Sequence, residues 1–208
     1  MMRVGVVDVS QRDAVLAVRV AAYRQAAEFA WRDDSALAWS DADDDGTVLG
    51  IWDAQGRLQS TLRASVFHER GAAEAFLEYR LDAVDLAWPA LLFSRAATHP
   101  DAARQGLFAL MRQAYLSALP ATPLQCLLAV VYEGGPRLRA MQDAGYRFTT
   151  PSGGWDSEAV ARTQPLLAVL PRAQFARALD VASTALLGHG TPVQIDTPAI
   201  AAAFSRCC

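Results

Sequence analysis

Residues 90–112 read ALLFSRAATHPDAARQGLFALMR. Residues 90–97 follow Pro89 and are apolar apart from Ser94 and Arg95, which reads as a buried strand. His99-Pro100-Asp101 closes that strand with turn chemistry. From Gly106 the apolar residues Leu107, Leu110, Met111, Ala114 and Ala118 recur on one face of a helix, which Pro120 and Pro123 stop. The segment is a strand, a tight polar turn and a helix whose first residue is Gly106. The first N–H groups of a helix have no partner inside it and carry partial positive charge. Gly106 has no side chain to cover them, so they are open to phosphate oxygens, and Arg104 adds charge at the rim. An ordinary strand–turn–helix connection uses the same residue types.

Working outward, strand and helix patterns alternate. Residues 3–9 are Val-rich and read as a strand. Ser10, with Asp13 three residues on, reads as a helix N-cap, and Val15, Val18, Ala22 and Ala26 carry a helical stripe through Phe29. Residues 35–39 read as a short apolar helix and 41–46 as an acidic loop. Residues 47–52 and 58–67 are strand-like and flank Asp53-Ala54-Gln55-Gly56, the clearest hairpin in the chain. Residues 68–83 are ambiguous. Residues 124–132 read as a strand, and 136–144 as a helix that starts with Pro136 and stops at Gly145. Residues 146–149 begin another extended piece. Beyond Gly153-Gly154 the composition changes. Residues 166–170 read as a last strand, 171–187 as an Ala-rich amphipathic helix and 197–204 as a short terminal helix. This order predicts an α/β (α+β) layer fold, a mixed sheet covered by helices. Residues 1–170 form one domain and 171–208 a helical extension packed on it.

The 208 residues are 52% hydrophobic and 20% charged, an ordinary globular mixture. Such a chain can bury a core without metal or disulfide support. A net charge of −3 and a pI of 5.6 lack the basic excess of a nucleic-acid binder. All 19 basic residues are Arg, a compositional bias rather than a site. Cys126 sits in an apolar run and reads as core. Cys207 and Cys208 read as a frayed tail, and no Cys or His spacing suggests a metal. The N-terminus lacks a signal-peptide layout, and no apolar run is long enough to span a membrane. The expectation is a cytoplasmic protein.

Residues 98–108, THPDAARQGLF, resemble the acyl-donor motif of the N-acetyltransferase (GNAT) superfamily. That motif runs apolar-x-Pro, then Arg/Gln-x-x-Gly-x-Gly/Ala, then an amphipathic helix. Downstream, MQDAGY at 141–146 is similar to the family's Tyr-x-x-x-Gly-Phe ending, at a fitting separation. By element order the resemblance covers residues 3–148. It implies a mainly antiparallel mixed central sheet flanked by helices, and acetyl-CoA or a longer acyl-CoA as co-substrate. It implies that backbone groups of Ala97 and Thr98 meet the thioester. The donor loop would comprise Ala103, Arg104, Gln105, Gly106, Leu107, Phe108 and Ala109, with the amides of residues 104–109 on the diphosphate. Strand 124–132 would splay from strand 90–97 and admit the pantetheine arm. Three positions depart from the pattern. Ala103 stands where the motif prefers Arg or Gln, and Phe108 where it prefers Gly or Ala; both changes weaken or reshape donor binding. Met141 stands where many members place the Tyr that protonates the leaving thiolate, so that role is not carried over, although Tyr132 and Tyr146 lie near in sequence.

A second resemblance lies upstream. Asp43-Asp44-Asp45-Gly46, the hairpin and Ser60-Thr61-Leu62-Arg63 are similar to the corresponding region of the acyl-homoserine-lactone and long-chain N-acyl amino acid synthases. Those GNAT relatives take acyl chains from acyl carrier protein or long acyl-CoA, which adds acyl carrier protein as an alternative donor partner.

Direct aminolysis of a thioester needs a neutral amine and a base, or a water chain, to take its proton. Glu78, His99 and His68 are the candidates, and a solvated surface role is open to each. Arg63 and Arg95 stand inside strands among apolar neighbours, where a guanidinium must find an anion or several acceptors. Either could hold the carboxylate of an amino-acid acceptor. Either could instead pair with Asp44, Asp45 or Glu78, or face the open side of the sheet. Trp31, Trp39, Trp52 and Trp88 are core or pocket-wall candidates, and Trp155 a lid. The helix 171–187 suits packing, a homodimer interface or cover for an acyl chain. The reading as a whole is an N-acyltransferase acting on a small-molecule amine, without metal. Its rivals are a non-catalytic GNAT-fold sensor of acyl thioesters and an unrelated structural protein. A structure without a V-shaped opening between the two central strands would favour the last.

Overall fold

The Asp53–Gly56 turn sets the centre of the sheet. The Asp53 carboxylate accepts from the amides of Gln55 and Arg57, both at 2.9 Å, and from Arg57 Nε at 2.8 Å. Gly56 takes a φ of 78° that the tight turn demands. The computed structural model that carries this hairpin describes residues 1–26, 29–30, 34–81, 85–134, 137–150, 160–161, 165–187 and 192–206. Trp31, Pro136, Gly153, Gly154, Trp155, Cys207 and Cys208 lie outside the described residues.

In chain order the elements are β1 (Met2–Val6), α1 (Arg12–Gln25), β2 (Phe29–Ala30), α2 (Asp41–Asp44), β3 (Thr47–Trp52), β4 (Leu58–Phe67), α3 (Arg70–Leu77), β5 (Ala90–Thr98) and α4 (Leu107–Ala118). They continue with β6 (Cys126–Tyr132), α5 (Leu138–Asp143), β7 (Arg147–Thr149), β8 (Val160–Ala161), β9 (Pro165–Pro171), α6 (Phe175–Thr184), β10 (Val193–Ile195) and α7 (Thr197–Ser205). Eight strands form one sheet in the order β10-β1-β3-β4-β5-β6-β9-β7, and β2 pairs with β8 apart from it. Within the large sheet only β1/β10 and β5/β6 are parallel. The fold is the mixed, mainly antiparallel α/β class expected.

Alternation along the strands divides the core between two faces. Leu49, Ile51, Leu62, Ala64, Leu91, Phe93 and Leu127 face α4, α6 and α7, meeting Leu110, Ala114, Ala178 and Phe204. On the opposite face Leu92 and Leu128 lie under Ala73 of α3, and Val48 and Trp52 under Val15 and Val18 of α1. The Trp52 ring also carries the Arg3 guanidinium 3.9 Å from its centroid. Cys126 is a core residue as expected; burial pushes its thiol up to about 12, and its Sγ meets the Ala87 carbonyl at 3.2 Å.

Several local readings are corrected. Ser10 is not the N-cap of α1: Asp8 caps a 3-10 turn at Val9–Gln11, its carboxylate accepting from the Ser10 amide at 2.9 Å, and that turn leads into the helix at Arg12 with Gln11 in the cap position. The supposed acidic loop holds α2, closed by a capping box between Ser40 and Asp43. The ambiguous stretch 68–83 contains α3. Gly106 is the cap of α4 rather than its first residue, because its φ of 72° is left-handed. The C-terminal part is not wholly helical. β10, too short to show a period, adds a strand beside β1 before α7 packs back over the sheet.

Candidate functional site

β5 and β6 run together only from Ala90↔Cys126 to Phe93↔Ala129. β5 continues to Thr98 and β6 to Tyr132 with no pairing between them. β6 does not fray there, since it stays paired with β9 from Cys126↔Pro171 to Tyr132↔Pro165. Two well-formed halves of the sheet therefore part in a fork. Beyond it, the β6-facing backbone groups of β5 have no strand opposite. A bulge on the other edge of β5 aids the divergence. Arg63 pairs with Ser94 and Thr61 with Ala97, so Leu62 faces both Arg95 and Ala96. Bulges bend a strand, and Arg95 takes a φ of 52°, rare for a residue with a side chain.

Past the fork β5 enters a 3-10 turn at Pro100–Ala102, then the loop that opens α4. Arg104 and Gly106 have φ of 66° and 72°. Left-handed residues interspersed in a turn aim successive N–H groups at a common point, a concavity suited to an anion. The first hydrogen bond of α4 runs from the Leu110 amide to the Gly106 carbonyl at 3.0 Å. The amides of Leu107, Phe108 and Ala109 precede it, and no side chain caps them. Among the described residues nothing accepts from the amides of residues 104–109. Ala103, Arg104 and Gln105 are exposed, whereas Leu107 and Leu110 anchor the helix in the core. The cradle is open but rigidly mounted.

The face of the fork opposite α4 carries guanidiniums. Arg63 donates from Nε to Ser94 Oγ at 2.8 Å, and its head lies 5.1 Å from the Phe76 ring centroid. Burial, above all, lowers its pKa to about 10; Asp43 opposes that shift, and Arg95 and Arg19 add to it. Arg95 donates to the Ala36 carbonyl. Arg19 on α1 and Asp43 on α2 form a pair with both side chains 0% exposed, at 2.5 and 3.1 Å. Burial raises the Tyr23 pKa, while Arg95, Arg137, Arg19 and Arg63 pull it down, so this hydroxyl of α1 lies in the field of all four.

No protein-family model and no curated protein matches the sequence. Solved structures do match in three dimensions. The ribosomal-protein-S18-alanine N-acetyltransferase from Escherichia coli superposes with a TM-score of 0.59 at 16% identity, over 82% of this chain and 94% of that one. A CoA-dependent acyl-homoserine lactone synthase, BjaI, with SAM and isopentyl-CoA, gives 0.61 at 17% identity over 100% and 99%. The yncA protein from Salmonella typhimurium with its cofactor acetyl-CoA gives 0.55 at 16% over 82% and 94%. The chain has the N-acetyltransferase (GNAT) fold.

Within this GNAT fold the departures from the donor motif acquire positions. Phe108 has two guanidiniums over its ring, Arg112 at 4.9 Å and Arg137 at 4.2 Å from the centroid, which tie it toward α5. Met141 is buried in the core. Tyr146 is buried as well, its hydroxyl 3.2 Å from that of Tyr115. Tyr132 is the tyrosine at the fork: half-buried, at the end of β6, its hydroxyl pushed up by burial and then by Tyr23. Ala97 is buried, and its carbonyl accepts from Ser60 Oγ at 2.9 Å, whereas Thr98 Oγ1 lies 3.0 Å from the same hydroxyl.

The base candidates are not gathered at the fork. Glu78 is exposed at the C-cap of α3 with a φ of 60°, and His68 is exposed past the end of β4. His99 follows β5 directly, but its Nδ1 accepts from the Asp101 amide at 3.3 Å. Arg63 forms no ion pair with Asp44, Asp45 or Glu78 among the pairs the structure describes. The carboxylate in the field of Arg63 and Arg95 is Asp43, which Arg19 already holds. Arg19 escaped the sequence reading, although an arginine on the apolar stripe beside Val15 and Val18 is itself a signal of a buried partner. Among the described residues no cluster of His, Cys, Asp or Glu could hold a metal, and no helix is long and apolar enough to cross a membrane.

Proposed function

We propose that the protein is an N-acyltransferase that moves an acyl group from acyl-CoA, or from an acyl carrier protein as the alternative donor, to the amine of a small molecule or amino acid. The observation that carries this reading is the fork in the sheet beside the uncovered amides of residues 104–109. Those amides would hold the diphosphate, with Arg104 adding charge at the rim. The pantetheine arm would enter between β5 and β6 and hydrogen-bond the unpaired edge of β5. The thioester would then stand near Ala97 and Thr98, facing the side that carries Arg63. A neutral amine attacks the carbonyl carbon, the new C–N bond forms, the C–S bond breaks, and the amine proton is lost to water. Acetyl-CoA and isopentyl-CoA in the two structural neighbours support a CoA thioester as donor.

The leaving thiolate needs a proton, and Met141 cannot supply one. We assign that role to Tyr132, which ends β6 on the side of the fork where β5 no longer pairs with it. Tyr132→Phe is expected to lower kcat about 10- to 100-fold, the usual scale for one acid–base group, with CoA affinity unchanged. Pre-steady-state measurement of thiol release reads this directly, and an unchanged rate removes Tyr132 from the mechanism.

The second reading is a non-catalytic sensor of acyl thioesters. Ala103, Phe108 and Met141, three departures in the donor region, favour it. Calorimetry with CoA and thiol release from acetyl-CoA across an amine panel separate the two. Binding with turnover is expected. Binding without thiol release supports the sensor, and binding of neither CoA nor acyl carrier protein removes both.

A further inference from the structure

We propose that Arg63 is the seat of a carboxylate carried by one of the two substrates of the transfer, held at the mouth of the β5/β6 fork. This deepens the acyltransferase reading and rests on it.

The position comes first. Arg63 pairs with Ser94, and Ser94 follows Phe93, the last residue of β5 paired with β6. The Nε hydrogen bond to Ser94 Oγ thus pins the guanidinium to the strand where the sheet opens. Arg63 is 7% exposed, and among the described residues only its Nε has a hydrogen-bond partner. The two terminal nitrogens are not among the sealed, unpartnered atoms of the interior, so they are not closed off completely. A guanidinium presents its terminal nitrogens as a planar fork that matches a carboxylate.

The charge balance points the same way. Among the described residues Arg63 lies in the field of Arg19 and Arg95 with one carboxylate, Asp43, opposing. Both Asp43 oxygens are taken by Arg19, and Oδ2 also accepts from the Ser40 amide at 3.0 Å. Burying positive charge in excess is costly unless an anion completes the group. A pKa near 10 leaves Arg63 charged at neutral pH, so the cost is not relieved by deprotonation. The aromatic wall of Phe76 makes the site dry enough for the pairing to be strong.

The carboxylate has two possible carriers, an amino-acid acceptor or a dicarboxylic acyl group, and the experiment separates them. Thiol release is measured for wild type, Arg63→Gln and Arg63→Lys. In one arm acetyl-CoA is paired with the common amino acids and with their decarboxylated amines. In the other, succinyl-CoA is compared with acetyl-CoA on a single amine. The expected result is that Arg63→Gln raises KM for the carboxylate-bearing substrate about 10- to 100-fold, the scale of one lost charge-assisted contact. Its carboxylate-free counterpart is expected to respond little, and Arg63→Lys to recover part of the loss. Selectivity in the first arm places the carboxylate on the acceptor, and in the second on the acyl chain. Equal loss for both kinds of substrate, or none, overturns the proposal. CoA affinity by calorimetry and the thermal melt of each variant are read alongside. If wild type binds neither CoA nor acyl carrier protein, the transferase reading fails. The seat is then judged by calorimetric titration of amino acids and succinate into wild type and Arg63→Gln, where identical isotherms overturn it.

Discussion

Replacing Gly106 with valine is expected to weaken CoA binding about 100-fold or more while leaving the protein folded. Gly106 holds a φ of 72°, a left-handed conformation that a β-branched residue adopts at a cost of about 1–2 kcal/mol. Relaxing that strain rotates the amides of Leu107, Phe108 and Ala109 away from their common focus, and the added methyl groups stand over what remains. Hydrogen bonds from amides to a charged group contribute about 1.5–3 kcal/mol each. Losing one or two of them accounts for two decades of affinity. Gly56 supplies the control. Its φ of 78° is nearly the same, and a Cβ there would meet nothing within 4 Å. Gly56→Val therefore carries a similar conformational cost far from the cradle. Calorimetry with CoA should find it unchanged in affinity, with the melting temperature lowered in both variants. Wild-type affinity in Gly106→Val would remove the cradle as the donor site.

The largest loss of stability is expected from Asp43→Ala, about 3–5 kcal/mol by urea unfolding, because it leaves a buried charge without its partner. Arg19 is 0% exposed, and its other bonds, to the carbonyls of Leu37 and Ala38 at 3.3 and 3.5 Å, are long. Without the carboxylate that guanidinium must draw in water or unseat α1 from the sheet. Replacing both partners, Arg19→Met with Asp43→Leu, is expected to recover most of the loss, since it removes the charge together with its counter-ion. The pair also sets an acid limit. Burial opposes ionisation of Asp43, but the Arg19 bonds and charge, the Ser40 amide and the Arg63 charge outweigh it and hold the carboxyl below 3.8. A depressed folded-state pKa contributes stability that is fully present above the unfolded value. That stability is lost as pH falls through the folded one. The gap between wild type and Asp43→Ala should therefore narrow in that acidic window. A gap that stays constant with pH would mean that the pair does not titrate as assigned.

These two positions also mark how far residue patterns alone reach. The uncovered helix start at Gly106 was legible because it is local. A strand, a turn and a helix follow one another within a short stretch, and the orphan amides of a helix start belong to any such start. The same holds for the Asp53–Gly56 hairpin, whose turn is closed by its own aspartate. Asp43 was not legible in its true role. It stands in a run of aspartates that looks like a solvated loop, and only the Ser40–Asp43 capping box turns it inward toward Arg19.

The composition and periodicity of the chain were enough to establish a layered α/β fold and a strand–turn–helix whose first amides are left uncovered. Those features depend on short-range backbone geometry and on which face of each element is apolar. The opening of the sheet after Phe93, the bulge that turns Arg95, and the placing of Arg63 beside Ser94 came from folding itself. They depend on the register between strands far apart in the chain and on which of several arginines reached the buried Asp43. Burial and pairing settle such contests in three dimensions, and no local pattern records their outcome.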